Sequence, residues 1–332
     1  MTSLETQPTP EHRTAELPAG RSLWGDAWRR LRRDWTAMLC LVVIGVYVLI
    51  ALGGVVYEQV AEHYESVPTY SEMMATEQSN EPPSLQSFWM LLGTDWAGRS
   101  VLVETLLGAK VSLTVGFMAN ILAVPLGMVL GALAGFYGGK IDAVVVWLFT
   151  TLASIPGIVL LIALKYAFQG VVLWDEGSWF FWLPDLNLSG IHGLYIALAV
   201  TSWIGTCRLV RAEVFKVREL DYVLAARATG TRGVTILFRH VLRNVLHLGI
   251  INFSLGFVGA IKAEVILSYL GLGVAVGTPS WGAMINRARM DLFAGRWWGL
   301  TAAVVAMFFL VLALNIFGDR LRDALDPRLR GV

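Results

Sequence analysis

The sequence predicts an all-α, polytopic membrane protein with six transmembrane helices, and three observations carry that prediction. Of the 332 residues, 56% are apolar and only 15% are charged, where a soluble domain carries about a quarter of charged residues. Six uncharged or nearly uncharged runs recur along the chain, each close to the roughly 20 residues that cross about 30 Å of hydrocarbon. The Lys and Arg residues between those runs fall unequally on alternate sides, as topology in a bilayer requires. A soluble protein of about 300 residues keeps about a quarter of its extended-chain surface wet, so this much hydrocarbon excludes an ordinary soluble enzyme. A disordered chain and a free nucleic-acid binder are excluded with it.

The elements follow in order. Residues 1–36 read as a tail, polar and Pro-containing at first (Pro8, Pro10, Pro18), then basic through Arg21, Arg29, Arg30, Arg32 and Arg33. The first apolar run, 37–57, is uncharged. The leader before it and the run itself are too long for a cleaved signal peptide, and no A-x-A-like site follows, so it reads as a retained helix. Residues 58–104 form a hydrophilic, largely acidic loop with Glu58, Glu62, Glu65, Glu72, Glu77, Glu81 and Asp95. Helices two to six then occupy a core over 105–318. The second run is 111–136, closed by a turn at Gly138-Gly139-Lys140; the third is 143–164, where Pro156 predicts a kink. After a Trp-rich loop around Asp175, Glu176 and Asp185 come the fourth run, 186–207, the fifth, 248–272, and the sixth, 297–318. A charged tail, 319–332, ends the chain. Cys40 and Cys207 both lie inside apolar stretches and read as small core hydrophobes.

Orientation follows from the cations. The two tails and the links between helices two and three and helices four and five carry 19 Lys and Arg, against 5 on the other side, with Lys165 and Lys262 inside membrane segments. Both ends are therefore expected in the cytoplasm.

The link between helices four and five, 208–247, is far longer than a turn needs. Residues 220–229 have helix-forming composition and stop at Gly230, which suits a left-handed helix stop. Helical periodicity resumes over 234–245 through Ile236, Phe238, Val241, Leu242 and Val245. The link thus reads as a helix–Gly–helix module, with Ala225, Ala226 and Ala228 small enough to let a partner's backbone approach. A solvated basic loop that only supports topology is the plainer alternative on spacing alone.

The string Tyr222-Val223-Leu224-Ala225-Ala226-Arg227-Ala228-Thr229-Gly230, followed by Ile236, Phe238-Arg239-His240 and Asn244, resembles the "EAA" loop of ABC importer permeases, in particular the dipeptide/oligopeptide/nickel family. Gly93-Thr94-Asp95 with Gly98-Arg99, Gly135-Phe136-Tyr137-Gly138-Gly139-Lys140-Ile141-Asp142, Ser268-Tyr269-Leu270-Gly271-Leu272-Gly273, Pro279-Ser280-Trp281-Gly282, and Gly318-Asp319 with 321–328 are similar to the same family, in order over about 88–330. Three positions depart from its pattern: Leu224 stands for the naming acidic residue, Arg243 for the usual Pro, and Lys262 where a small or apolar residue is expected.

The resemblance implies a type I ABC importer permease fold in a bacterial inner membrane, with helix one wrapping or supporting the core. It implies that the loop is a coupling helix seated on a separate ATPase, with Ala225, Ala226, Ala228 and Gly230 permitting close seating and Arg227 pairing with the partner's surface. It implies further a second homologous permease subunit, two ATPase subunits carrying ATP and magnesium, and an extracytoplasmic solute-binding protein, with lipid as the surrounding partner and no cofactor in this chain. The 58–92 loop is on the side to touch that binding protein. The cargo implied is peptides or similar small solutes.

Residue chemistry agrees that the energy comes from elsewhere. The nearest phosphate-loop lookalike, 134–141, lacks the leading Gly and the Ser/Thr after Lys140. Gly127, Gly131 and Gly135 at four-residue spacing offer a small-residue face for helix packing in lipid, with gating as the minor alternative. Lys262 and Glu264 are costly inside a span and point to nearly opposite sides of their helix. At 1.5 Å per residue Lys262 sits about 21 Å above Leu248. Snorkelling or interhelical pairing, and lining a translocation path, both remain open for them; Lys165 has the same alternatives, snorkelling first. His240 and His247 lack the further ligands a metal site needs, and no nucleophile–base constellation is present. An ion-coupled secondary carrier, the competing class, predicts midplane carboxylates and paired broken helices; only Glu264 answers the first. A membrane-embedded enzyme, the third class, lacks its constellation.

Overall fold

The computed structural model describes residues 23–64, 67, 70, 78–171, 188, 190–274 and 277–325. The Pro-containing start of the tail, much of the acidic loop over 65–77, the Asp175–Asp185 loop, the first residues of the fourth run and the tail from 326 lie outside the described residues.

The described residues form helices and connecting turns, with one isolated bridge, Thr94 to Ser100, in place of any strand. The first two helices are α1 (Leu23–Arg33) and α2 (Trp35–His63). The segment expected as a tail thus holds a helix of its own: Ala27 and Leu31 are buried, while Trp28 and the arginines are exposed. Asp34 separates the two, its carboxylate accepting from the Thr36 backbone N–H at 2.9 Å and the Thr36 hydroxyl at 2.6 Å. That pairing, with the cation of Arg320 at 3.3 Å, holds the Asp34 carboxyl below its usual range and pins the end of the last helix beside the start of α2.

Next is α3 (Val101–Tyr137), 37 residues and so about 55 Å long. It begins ten residues before the uncharged run because Glu104 and Lys110, which mark a loop in the sequence, are neutralised by Arg287 and Glu58 respectively. A helix this long overshoots about 30 Å of hydrocarbon.

The helices α4 (Gly139–Ala153) and α5 (Gly157–Ala167) meet at 91°. The kink expected at Pro156 is a full break: proline has no N–H to donate and bars its predecessor, Ile155, from helical geometry. The break is partly satisfied locally, as Ser154 Oγ donates to the Thr151 carbonyl at 2.7 Å. The start of α4 is held by Arg211, and the end of α5 by Lys165 Nζ donating to the Gly190 carbonyl at 2.7 Å. Those contacts lie at opposite ends of the following helix, α6 (Ile191–Val217), so the broken pair traverses the bundle as one span. Lys165 is only 3% exposed and so turned inward rather than snorkelling.

After α6 come α7 (Asp221–Ala228) and α8 (Gly233–Ile236), a single wide helical turn over Leu237–Val241, and α9 (Leu242–Tyr269). The second helix of the sequence module is thus the first turns of span five. A helix that no apolar run marks, α10 (Trp281–Phe293), precedes α11 (Trp298–Leu325). Among the described residues five helices are long and apolar enough to cross a membrane, and the broken pair, taken as one span, makes six.

Packing centres on α3. A Cβ added at Gly127 would lie 2.6 Å from the Trp203 carbonyl oxygen, at Gly131 2.5 Å from that of Cys207, and at Gly135 2.8 Å from that of Arg211. The three glycines therefore lay the α3 backbone directly on the α6 backbone over two turns, the close approach that replaces hydrophobic driving force in lipid. Ala123, Ala134, Trp203 and Cys207 fill the flank of this seam towards α4, with Val145 and Phe149.

Gly131→Leu should force α3 and α6 apart, costing about 1–3 kcal/mol or more and lowering the thermal unfolding midpoint of the purified protein. Gly205→Ala is the control, since an added Cβ there meets nothing within 4 Å. Equal midpoints for the two variants would remove the seam from this role.

Candidate functional site

At the end of the bundle that carries the Arg-rich link, α7 lies across the projecting end of α3. Its Val223 is wholly buried in a cluster with Phe136 of α3, Val214 and Val217 of α6, and Ile236 and Leu237. Ala226 packs partly against that cluster. The opposite face, with Leu224, Ala225, Arg227, Ala228 and Gly230, is exposed. Gly230 has φ +77°, the left-handed backbone that ends the helix, and Thr231 N–H closes the cap on the Ala226 carbonyl at 3.1 Å. Arg227 lies over the Phe136 ring at 5.2 Å, so its cation is stacked on α3 as well as facing outward. Asn244 of α9 donates to the Tyr222 hydroxyl. One buried valine, one stacked arginine and one hydrogen bond thus tie α7 to spans two, four and five.

Beneath it the turn at Gly138 and Gly139, with φ +65° and +54°, reverses the chain from α3 into α4. Arg218 donates to the Gly135 carbonyl at 3.0 Å, satisfying a helix end that has no intrahelical donor. Asp142 accepts both arms of Arg211 at 2.5 and 2.7 Å, a bidentate pair of the strong class. The glycine-rich string from Gly135 to Asp142 is therefore the platform under α7.

The other end is a second buried polar cluster. Asp95 accepts from the backbone N–H groups of Ala97 and Arg99 at 2.9 Å each and from the Arg99 side chain; Arg99 lies under the Tyr70 ring at 4.9 Å. Trp298 Nε1 donates to the Thr94 carbonyl and Trp281 Nε1 to the Thr105 carbonyl, both at 2.9 Å. Glu264 is 0% exposed. Its carboxyl accepts from Ser112 Oγ at 3.1 Å and Ser268 Oγ at 2.8 Å, with Ser280, the cap of α10, beside them. Glu264 thus joins α3, α9 and the cap of α10 inside the subunit, away from any open surface.

Lys262 is on the other face of α9 and exposed. It borders a cavity of about 240 Å³ between α9 and α5, whose other walls include Ile158, Leu161, Gly259 and Ile266. The two charges that the sequence places side by side thus take separate surroundings. No three His, Cys, Asp or Glu side chains gather into a metal site among the described residues.

Sequence reasoning missed Val223, the anchor under α7, although its apolar neighbours at 220 and 224 marked the periodicity. It also missed the Arg211–Asp142 pair, the three serines around Glu264, and α10. The last was signalled by Ser280 as cap, whose Oγ accepts from Ala283 N–H at 3.2 Å, and by Trp281, Met284 and Ala288 at helical spacing.

Two family matches account for most of the chain. Residues 127–331 match the family described as binding-protein-dependent transport system inner membrane component. Residues 22–83 match the N-terminal TM domain of oligopeptide transport permease C, which covers α1 and α2. The chain is 33% identical over 306 residues to the dipeptide transport system permease protein DppC of Bacillus subtilis, covering 92% of this chain and 86% of that one. It is 33% identical over 310 residues to the glutathione transport system permease protein GsiD of Pectobacterium atrosepticum, 93% of each. Against the oligopeptide transport system permease protein OppC of Bacillus subtilis it is 31% identical over 309 residues, 93% of this chain and 91% of that one.

Glu264→Leu should strand the Ser112 and Ser268 hydroxyls, each a loss of about 1–3 kcal/mol when left unsatisfied, and Ser268 is packed against Gly282 of α10. Amide hydrogen exchange across α10 should then accelerate by roughly tenfold or more, while Glu264→Gln, which keeps an acceptor, changes it far less. Unaltered exchange in the leucine variant would show that Glu264 does not hold α10.

Proposed function

The chain belongs to the family of binding-protein-dependent transport system inner membrane components, and on that premise we propose how it works: as the non-catalytic permease subunit of an ATP-driven importer, moved through α7 by a separate ATPase. The single observation that carries this reading is the construction of α7. A helix of eight residues gains little stability on its own, yet here one side is fixed to three spans while the other presents Ala225, Ala228 and Gly230 with little bulk. Tyr222, Leu224, Val234 and Phe238 add exposed apolar surface at the same end, which marks an interaction site rather than a solvated loop. A rigid push delivered there reaches α3 and α6 together, because the glycine seam leaves no slack between them.

The excess of Lys and Arg at this end supports a cytoplasmic placement for α7 and both termini. Two ATPase subunits, each with its ATP and magnesium, then act from the cytoplasm on this chain and a second homologous permease subunit. A solute-binding protein delivers cargo at the opposite end, where α10 and the Asp95–Arg99 loop lie. Relatives named for dipeptides, oligopeptides and glutathione support peptides and similar small solutes as the cargo. Glu264, enclosed by serines, belongs to the scaffold; Lys262 is the charge left for the path.

The test is Ala225→Trp in the complete transporter reconstituted in proteoliposomes. Ala225 is exposed, so the bulk is tolerated by the subunit itself, unlike a substitution at Gly230, whose left-handed backbone costs a side chain about 1–2 kcal/mol. Blocking one interface hot spot costs about 2 kcal/mol or more, so ATP-dependent uptake should fall roughly tenfold or more with the unfolding midpoint unchanged. Normal uptake in that variant, or uptake driven by a proton gradient without ATPase subunits, would overturn the reading.

A further inference from the structure

We propose that Lys262 recognises a carboxylate of the transported solute, its cavity accepting the apolar part beside that carboxylate; the proposal rests on the importer reading above and names the chemistry it selects. Four observations lead there. The other charges in and at the ends of the spans described above are answered from within the subunit: Glu104 by Arg287, Lys110 by Glu58, Asp142 by Arg211, Lys165 by the Gly190 carbonyl, Glu264 by its serines. Lys262 alone of these has no ion pair or hydrogen bond among the described residues. An unanswered ammonium at that depth is costly, and such residues mark substrate and ion pathways.

The surface around it is built for access. Leu255, Gly259, Lys262 and Ile266 are exposed along one stripe of α9 at helical spacing, while Ala260, Glu264, Leu267 and Ser268 are buried on the opposite side. An added Cβ at Gly259, one turn below, would meet nothing within 4 Å. The cavity of about 240 Å³ is walled by Ile158 and Leu161 of α5, directly after the break at Pro156.

Direction argues against snorkelling. Helical side chains tilt toward the helix N-terminus, and α9 starts at the Arg-rich end. The Lys262 stem therefore leans back toward the middle of the membrane, away from the nearer boundary at Tyr269. A compact ammonium with three donors against apolar walls suits a carboxylate beside a hydrocarbon side chain, the pair that a peptide ending in an apolar residue presents at its C-terminus.

The experiment uses the reconstituted transporter and two probes, the dipeptide Ala-Phe and its C-terminal amide, with capture of each by the binding protein measured separately and uptake expressed per captured peptide. Lys262→Met should cut uptake of the free acid roughly tenfold or more, the loss of one charge-assisted hydrogen bond, leave the amide within about twofold, and so erase the preference between them. Lys262→Arg should keep most of that preference. An unchanged acid-to-amide ratio in Lys262→Met overturns the proposal, and so does failure of that variant to assemble with the second permease subunit, which would make Lys262 an interface ion pair. A second readout needs no capture of the amide: Lys262→Cys should react with a water-soluble thiosulfonate, and the free acid should protect it. Cys40 and Cys207 are both buried. No labelling means a lipid-facing side chain and also overturns the proposal. Wild-type uptake that needs no ATP would instead strike the importer reading, and is scored separately from both.

Discussion

The rest of the structure depends on backbone-to-backbone contact between α3 and α6. Gly127, Gly131 and Gly135 bring the two helices so close that an added Cβ would lie 2.5–2.8 Å from the carbonyls of Trp203, Cys207 and Arg211. In lipid, where burying apolar surface gains nothing, close packing of small residues is what holds helices together. Everything at the Arg-rich end is then placed by that seam. It sets Phe136 under Val223 and Arg227, delivers the Gly135 carbonyl to Arg218, and brings Asp142 within reach of Arg211. The element proposed to receive force is thus mounted on a joint of backbone against backbone.

The opposite end is organised by a different constraint, that a charge taken out of water must be answered. Glu104, Asp95 and Glu264 each meet this from inside the fold: Asp95 locally, through Arg99, and the other two across segments distant in sequence, Glu104 with Arg287 and Glu264 with Ser112. Those distant pairings fasten α10 and span five to span two, while Trp298 Nε1, donating to the Thr94 carbonyl, ties the Asp95–Arg99 loop to span six. Among the described residues Lys262 is the cation within a span that escapes the rule, and it is on an open face beside the broken span.

What the sequence made legible and what it hid divide along physical lines. Apolar runs, the helix–Gly–helix link and the four-residue glycine spacing are local patterns, and periodicity reads local patterns well. The extra turns of α3 were hidden because Glu104 and Lys110 look like loop residues until their partners, Arg287 and Glu58, are known. Pro156 announced a disturbance without its angle, since a proline breaks the helix while the directions of α4 and α5 also depend on partners distant in sequence, Arg211 for Asp142 and Gly190 for Lys165. At 13 residues with Asn286, Arg287, Arg289 and Asp291 in its course, α10 is too short and too polar to register as a span. Lys262 and Glu264 showed as costly, but only packing could send one into a serine cage and leave the other exposed.

The most direct measurement of the central claim is a cross-link from α7. A cysteine at Ala228, exposed at the end of that helix, should be captured by an ATP-hydrolysing subunit in the working transporter, and the cross-linked assembly should lose uptake that returns on reduction. Absence of any such capture from a complex that still transports, with Ala228→Cys reactive to free reagent, would contradict the account.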